Sequence, residues 1–395
     1  PAYRMYYYSM VGHWSPMQMQ MVTRSLLIYR LTGSGTILGL MALAGSIPML
    51  LLSLYGGALA DRLDKRKILI WGQLASAVLS LAVGLALSFG YLVSDNTGSW
   101  WILVASSAAQ GTIFGLMMPS RASILPEIVG TEELMNAISL NNLGMNFFRI
   151  AAPAATGFII SAWDFASVYY IMTALYFFST IFLFWIPRVP PRSSQGRSTL
   201  GEIVEGLRYI KKETTIMLIL SFTLCCTILG MPFNMLLPMF TEDVLKVGEV
   251  GLGILMGVSG IGAIAVSLVL ASMQNRKRGI VMLLMGLMLS LSLIGFSFIN
   301  SWYPDLVLVI FIGMGQTGQM AIGSTLVQYH VDPAYRGRVM SFQMLGFGLS
   351  SLGTVFGGVL ADVMGIQWSV GSLAIALAVI TIVILSFGRR LRQMD

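Results

Sequence analysis

Residues 56–67 read Gly-Gly-Ala-Leu-Ala-Asp-Arg-Leu-Asp-Lys-Arg-Lys and separate two long apolar segments of the chain. Each of those segments has about twenty residues, the length with which an α-helix crosses the hydrocarbon core of a bilayer. The stretch between them holds two acids and four bases within its last seven positions. Because Lys and Arg favour the cytoplasmic side of a membrane, this stretch predicts a short cytoplasmic loop between two spanning helices.

Composition extends this prediction to the whole chain. Of its 395 residues, 56% are hydrophobic and only 10% are charged, and the mean hydropathy is +0.79. A soluble domain carries about 25% charged residues, so the chain is predicted to be an integral, all-α membrane protein. The net charge of +7 does not indicate a nucleic-acid partner, because the bases lie in short loops rather than on one soluble face.

The alternation of apolar segments with polar separators predicts twelve spanning helices. Their predicted ranges are 5–30, 36–60, 67–93, 99–119, 136–162, 167–187, 214–240, 250–273, 279–299, 304–329, 338–362 and 367–387. The longest hydrophilic stretch, 188–213, has apolar residues at helical spacing over 199–212, which predicts an amphipathic helix on the cytoplasmic membrane face. It divides the chain into two halves of six spans, 1–187 and 214–395.

The two halves look like repeats of one another. The triplet Lys65-Arg66-Lys67 is followed 211 residues later by Arg276-Lys277-Arg278. Parallel repeats of six helices are an architecture of secondary transporters. With the loop at 56–67 in the cytoplasm, 20 of the 24 Lys and Arg residues fall on that side, as the positive-inside rule requires. We therefore expect a multi-pass protein of a prokaryotic plasma (inner) membrane with both termini in the cytoplasm.

The loop at 56–67 resembles the signature loop between helices 2 and 3 of the major facilitator superfamily, roughly G-x-L-A-D-R-x-x-R/K-R/K. Gly57, Leu59 and the run Ala60-Asp61-Arg62 fit that pattern. Three further segments are similar to the efflux branch of the family, which includes drug, macrolide and siderophore exporters: residues 31–39, 119–129 and 335–341. The resemblance implies two six-helix halves that alternate about a central site for a small molecule.

The fifth predicted span carries part of a pattern found in exporters of the family, G-P-x-x-G-G. Pro153 and Gly157 fit it, whereas Ala152 and Thr156 replace two of its glycines. The match favours export, and the alternative is an ordinary proline kink beside small packing residues.

The fourth predicted span departs from the family in one respect. Proton-coupled members often carry R-x-x-Q-G there. Gln110 and Gly111 are present in this chain, but Ser107 holds the Arg position. The resemblance therefore does not extend to the usual residue of proton coupling.

Polar side chains at helical spacing form one face on each of three predicted spans, which predicts a substrate cavity. The candidate binding residues are His13, Gln20 and Arg24 on the first span, Asn142, Asn146 and Arg149 on the fifth, and Gln316 and Gln319 on the tenth. Charge inside a membrane is expensive and usually functional, and Arg149 is the predicted anchor because no acid lies at its depth. A basic cavity favours anionic substrates over organic cations. The alternatives are that Arg24 and Arg149 only brace helices and that His13 is simply hydrogen-bonded.

The resemblance also implies a cytoplasmic gate in which Asp61 pairs with Arg121. Gly57, Arg62 and Arg66 belong to the same predicted gate. If protons drive the carrier, the candidate groups lie at the edge of the cavity, since the central acid and the fourth-span Arg are both missing: His13, Glu127 and Asp61.

Together these features predict a secondary transporter that exports an amphipathic, preferentially anionic small molecule by alternating access with ion coupling. Two alternatives stay open: a lipid or lysolipid flippase with the same fold, and a membrane receptor or scaffold without transport. An enzyme is not predicted, because H-E-x-x-H, G-x-S-x-G and paired acids at mid-depth are missing. The G-x-G-x-x-G at 313–318 lies inside an apolar span, where no dinucleotide fold fits. No cofactor and no metal is expected.

Overall fold

The computed structural model describes residues 2–93, 98–130, 132–187, 199–273, 277–332 and 335–392. These ranges are helical with short turns between the helices, and they contain no strand. The helices are α1 (Ala2–Thr32), α2 (Gly35–Arg62), α3 (Lys65–Ser88), α4 (Trp101–Val129), α5 (Leu134–Ala162), α6 (Phe165–Leu183), α7 (Thr199–Lys212), α8 (Thr214–Gly230), α9 (Pro232–Met239), α10 (Gly248–Ser272), α11 (Arg278–Ile299), α12 (Trp302–His330), α13 (Arg336–Met364), α14 (Ile366–Phe387) and α15 (Arg389–Arg392), with a π-helical turn at Phe240–Val244.

Twelve of these segments account for the predicted spans. Among the described residues, ten segments are long and apolar enough to cross a membrane. The other two, α1 and α13, are more polar but have 31 and 29 residues. At about 1.5 Å per residue, both exceed the roughly 30 Å hydrocarbon core. The prediction of an all-α membrane fold with twelve spans is confirmed.

The largest error in the predicted spans lies at the end of the fourth. The prediction ends that span at residue 119, but α4 continues through Pro119 and Pro126 to Val129. Prolines are tolerated inside spanning helices, because neighbouring helices and Ser or Thr side chains satisfy the freed backbone groups. The helix ends where Gly130 takes a φ of 76°, a conformation that glycine adopts without steric cost.

The seventh span is interrupted rather than continuous. The prediction runs it from 214 to 240, whereas α8 ends at Gly230 and α9 begins at Pro232. Because proline has no backbone N–H, it breaks the hydrogen-bond ladder at this point. The π-helical turn then carries the span to Val244.

Contacts divide the chain into two compact units. The first comprises Pro1–Gln195 with Val247–Gly257, and the second comprises Gly196–Lys246 with Val258–Asp395. The segment Val247–Gly257 is the start of α10. The predicted boundaries at 187 and 214 stay predictions.

Close packing of α2 on α4 shapes the first unit. A side chain at Gly111 would overlap the Gly45 carbonyl oxygen, and a Cβ atom at Gly115 would lie 2.6 Å from the Met49 carbonyl oxygen. Small residues allow two helix backbones to approach in a membrane in this way. The approach places the α4 residues around Ser107 directly beside α2.

Small residues also hold the start of α10 against α5 within the first unit. A Cβ atom at Gly253 would lie 2.6 Å from the Pro153 carbonyl oxygen, and one at Gly157 would overlap the Glu249 carbonyl oxygen. Arg30, at the end of α1, forms an ion pair with the Glu249 side chain. The glycine and proline that match the exporter pattern therefore lie in a close helix contact.

In the second unit, the amphipathic helix α7 packs on the loop before α13. Tyr209 and Tyr335 stack with ring centroids 4.4 Å apart, and the Asp332 N–H donates to the Tyr209 hydroxyl at 3.2 Å. Arg338 pairs with Glu205 at 2.9 Å. The observed bounds of α7 agree with the predicted range of 199–212, and ring stacking and an ion pair fix the helix to its own unit.

Candidate functional site

The first unit contains a polar cavity of about 250 Å³ between α1, α2 and α4. Its polar lining consists of His13, Gln20, Arg24, Ser46, Ser107, Gln110 and Tyr176. Methionine and phenylalanine side chains, among them Met17, Met49 and Phe114, complete the wall. A cavity with apolar walls and a few converging polar groups is the usual form of a small-molecule site.

The lining residues of α1 come from one face of that helix. His13, Gln20 and Arg24 lie at i, i+7 and i+11, so a period of about 3.6 residues aligns them along the helix. The structure brings all three together at the cavity. Ser107, Gln110 and Tyr176 are lining residues that sequence reasoning did not assign to substrate.

The guanidinium group of Arg24 lies in the wall of the cavity and is only partly hydrogen-bonded among the described residues. Its Nη1 donates to the Ser107 hydroxyl at 3.2 Å, and that hydroxyl donates in turn to the Met41 carbonyl oxygen at 3.0 Å. The side chain is half-buried as a whole, but its Nε and Nη2 atoms are buried and have no hydrogen-bond partner among the described residues. The Tyr169 hydroxyl lies nearby but makes no hydrogen bond of normal geometry within the described ranges.

The contact between Arg24 and Ser107 bears on the missing fourth-span arginine. Ser107 holds the position at which R-x-x-Q-G has its Arg, and the guanidinium that lies there comes from α1 instead. Three residues further along α4, Gln110 donates to the Ser76 hydroxyl at 3.3 Å. The positive charge therefore reaches this place in the fold from a different helix, 83 residues earlier in the chain.

His13 is buried and lines the same cavity. Its Nδ1 is 3.1 Å from the Gln73 amide nitrogen, which is the donor if that ring nitrogen is unprotonated. The His13 Nε2 and the Gln73 Oε1 are buried without a hydrogen bond in the described part of the chain. The ring nitrogen Nδ1 thus has a hydrogen-bond partner, whereas Nε2 has none among the described residues.

The candidate residues of α5 do not line this cavity. Asn142 is exposed, while Asn146 and Arg149 are half-buried. In the first unit α5 packs on α1 at Gly144, where a Cβ atom would meet Trp14. Helical spacing puts the three polar residues on one face of α5, and their role as substrate ligands stays a prediction.

Gln316 and Gln319 are both buried in the second unit. Gln316 donates to the Gly230 carbonyl oxygen at 3.3 Å and accepts from the Asn234 amide at 3.2 Å. The break at Pro232 deprives the end of α8 of hydrogen bonds within the helix, so Gln316 stabilises this break. Gln319 has a buried Oε1 with no hydrogen-bond partner among the described residues.

The predicted gate is described only in part. The side chains of Asp61 and Arg62 and the surroundings of Gly57 lie outside the described residues. Arg66 donates from Nη2 to the Phe184 carbonyl oxygen. Arg121 lies near the phenols of Tyr6 and Tyr176, groups of α1 and α6.

Glu127, a candidate for proton coupling, forms an ion pair with Lys65. The Lys65 Nζ lies 2.7 Å from Glu127 Oε1, and the two side chains are 5% and 15% exposed. The pair joins the first turn of α3 to the last turns of α4. It exists because α4 continues beyond residue 119, which the sequence-based span did not include.

The sequence and the fold of this chain are similar to those of known proteins. A family model described as Major Facilitator Superfamily matches residues 10–352 and 252–393. The chain is 24% identical to the staphyloferrin A transporter of Staphylococcus aureus, over 90% of this chain and 88% of that protein. It is 28% identical to the multidrug efflux pump Tap of Mycolicibacterium fortuitum, over 93% and 91% of the two chains. The crystal structure of the nucleoside transporter NupG has the same fold, with a TM-score of 0.75 at 13% identity over 98% of each chain.

Proposed function

Because this chain belongs to the major facilitator superfamily, we propose that it exports an amphipathic small molecule across a bacterial plasma membrane and prefers anionic molecules. It is a multi-pass membrane transporter, and its family is not one of enzymes. Its similarity to a multidrug efflux pump supports the outward direction. The excess of Lys and Arg in the predicted cytoplasmic loops supports cytoplasmic termini.

The preference for anions depends on one observation, the Arg24 guanidinium in the cavity wall. An arginine stays charged, and a buried charge without an acceptor is costly. Arg24 forms no ion pair with an acid among the described residues, and its Nε and Nη2 have no acceptor there. These two nitrogens form one edge of the planar group, which suits two parallel hydrogen bonds to a carboxylate, sulfonate or phosphate.

The remaining lining supports an amphipathic ligand. Gln20 and Gln110 add neutral hydrogen-bonding groups, and Met17, Met49 and Phe114 add apolar surface. Methionine is flexible and polarisable, so it packs against ligands of differing shape. One anionic group at Arg24 with an apolar body against the methionines is the arrangement that we propose.

Transport proceeds by alternating access in this proposal, with the cavity open to one side of the membrane at a time. We propose protons as the coupling ion, with His13, Asp61 and Glu127 as the candidate groups. His13 is favoured among them, because it lines the cavity and one of its ring nitrogens is without a hydrogen bond in the described part of the chain. Glu127 is engaged by Lys65.

Flux into proteoliposomes tests the function. The probes are 8-anilino-1-naphthalenesulfonate, which is anionic, and N-phenyl-1-naphthylamine, which is the same ring system without the sulfonate. We expect the purified protein to transport the sulfonate under an imposed pH gradient. Binding without flux would favour the receptor alternative, and a response to sodium or voltage alone would exclude proton coupling.

A further inference from the structure

The first unit contains a second cavity, which shares no lining residue with the polar one. It measures about 450 Å³ and lies between α3 and α4 next to the turn before α3. Asp64 and Lys67 line one end of it, and Ile68, Ala75 and Met117 are among the residues that line the remainder. Its volume falls within the range of about 300–1,000 Å³ that is usual for ligand pockets.

The lining of this cavity changes from charged to apolar along α3. From Asp64 to Ala75 the helix rises about 16 Å, which is roughly half of the hydrocarbon core, or one leaflet. Beyond Lys67 along α3 the lining is apolar, and α4 contributes Ile113 and Met117 to it. A pocket that is charged at the membrane surface and apolar inside the membrane matches the polarity of one lipid molecule.

The mouth of the cavity holds one base and one acid, Lys67 and Asp64. Lys67 is exposed and forms no ion pair among the described residues. The nearby acid, Asp64, accepts a hydrogen bond from the Arg66 N–H at 3.0 Å and thereby caps α3. Lys65 is already paired with Glu127. Among the described residues that line this cavity, Lys67 is therefore the cation that can contact an anionic headgroup.

The second unit has a cavity at the corresponding place. Arg278 follows Lys67 by 211 residues in the repeat and lines a cavity between α10, α11 and α12. That cavity measures only about 100 Å³. The repeat therefore keeps a basic residue beside both cavities, but the one at Lys67 is several times larger.

We propose that the larger cavity binds one acyl chain of an anionic phospholipid from the cytoplasmic leaflet, with the lipid phosphate at Lys67. Trp71 lines the cavity and is 70% exposed. An indole in this position reports on the occupant, because its ring lines the cavity.

Quenching of Trp71 fluorescence by brominated lipids tests this proposal. The full chain is purified in detergent and titrated with phosphatidylglycerol or phosphatidylcholine that carries bromine on its acyl chains. The difference between the wild-type protein and Trp71→Phe isolates the signal of this indole. We expect phosphatidylglycerol to quench it at a lower concentration than phosphatidylcholine.

Three further variants separate headgroup from cavity. Lys67→Gln is expected to lower the affinity for phosphatidylglycerol about fivefold. This factor corresponds to about 1 kcal/mol for one interfacial basic residue. Ala75→Phe fills the cavity and is expected to lower the affinity for both lipids. Arg278→Gln is the matched control. It is expected to leave the Trp71 signal unchanged, because Arg278 lines the other cavity.

Equal quenching by the two lipids would overturn the proposal. Quenching of Trp71 that is unchanged in both Lys67→Gln and Ala75→Phe would also overturn it. Circular dichroism and thermal melting establish that each variant is folded. If Lys67→Gln does not fold, Lys67→Arg, which retains the charge, is expected to bind like the wild type, and Ala75→Phe provides the test independently.

Discussion

Glu127 forms an ion pair with Lys65, and variants of this pair test whether Glu127 has a structural role or a role in proton coupling. At a separation of 2.7 Å and an effective dielectric constant of about 20, the attraction is about 6 kcal/mol. Desolvation of the buried Lys65 and the half-buried Glu127 costs several kcal/mol, so the net stabilisation by the pair is small. Removing one partner is different, because it leaves the other ion buried without its counter-charge.

We therefore expect Glu127→Ala to lower the free energy of unfolding by about 3–5 kcal/mol. Glu127→Gln retains an acceptor for the Lys65 ammonium group and loses about 1.5–3 kcal/mol. The double variant Lys65→Met/Glu127→Leu removes both ions and recovers much of the loss, because apolar replacement of a buried pair is often neutral.

Unfolding of the purified variants by denaturant in mixed micelles measures these differences. Flux under a pH gradient is measured on the same preparations. A Glu127→Gln protein with wild-type stability but no response to the pH gradient would refute the structural role and make Glu127 a coupling residue.

Three other perturbations follow from the described contacts. Gly111→Leu places a side chain against the Gly45 carbonyl oxygen and separates α2 from α4, so we expect loss of folded protein in size-exclusion chromatography, whereas a normal elution profile would contradict it. Gln316→Ala leaves the Gly230 carbonyl oxygen without its partner and costs about 1–3 kcal/mol, measured by denaturant unfolding, and unchanged stability would contradict a role at the helix break. Arg149→Lys keeps the charge but not the planar guanidinium group. If Arg149 binds substrate, the affinity for 8-anilino-1-naphthalenesulfonate falls while the stability is unchanged. A lower melting temperature with normal binding would show that Arg149 has a structural role instead.

Hydropathy predicted the spans well, because a bilayer of fixed thickness imposes a length on every spanning helix. The bounds of α7 were predictable for a related reason, since its apolar residues recur at helical spacing in a polar stretch. The end of α4 was not predictable in this way. Pro119 and Pro126 resemble stop signals, yet α4 continues through both to Val129.

The missed contacts at the candidate site join residues that are far apart in sequence. Arg24 meets Ser107 across 83 residues, and Gln316 meets Gly230 across 86. Helical periodicity identifies the face on which a residue lies but not the residue opposite to it. For that reason the face of α1 was predictable from sequence, whereas the contact between Arg24 and Ser107 was not.

The most direct test of the central claim is calorimetric binding of the matched probe pair to the Arg24→Gln protein. Losing charge-assisted hydrogen bonds worth about 1.5–3 kcal/mol lowers affinity roughly 10- to 150-fold. We predict this loss for 8-anilino-1-naphthalenesulfonate, little change for N-phenyl-1-naphthylamine, and wild-type binding of both probes by the control Arg4→Gln, a charge loss at an exposed position of the same helix. An Arg24→Gln protein that is folded and binds the sulfonate as tightly as the wild type would contradict the proposed anionic site.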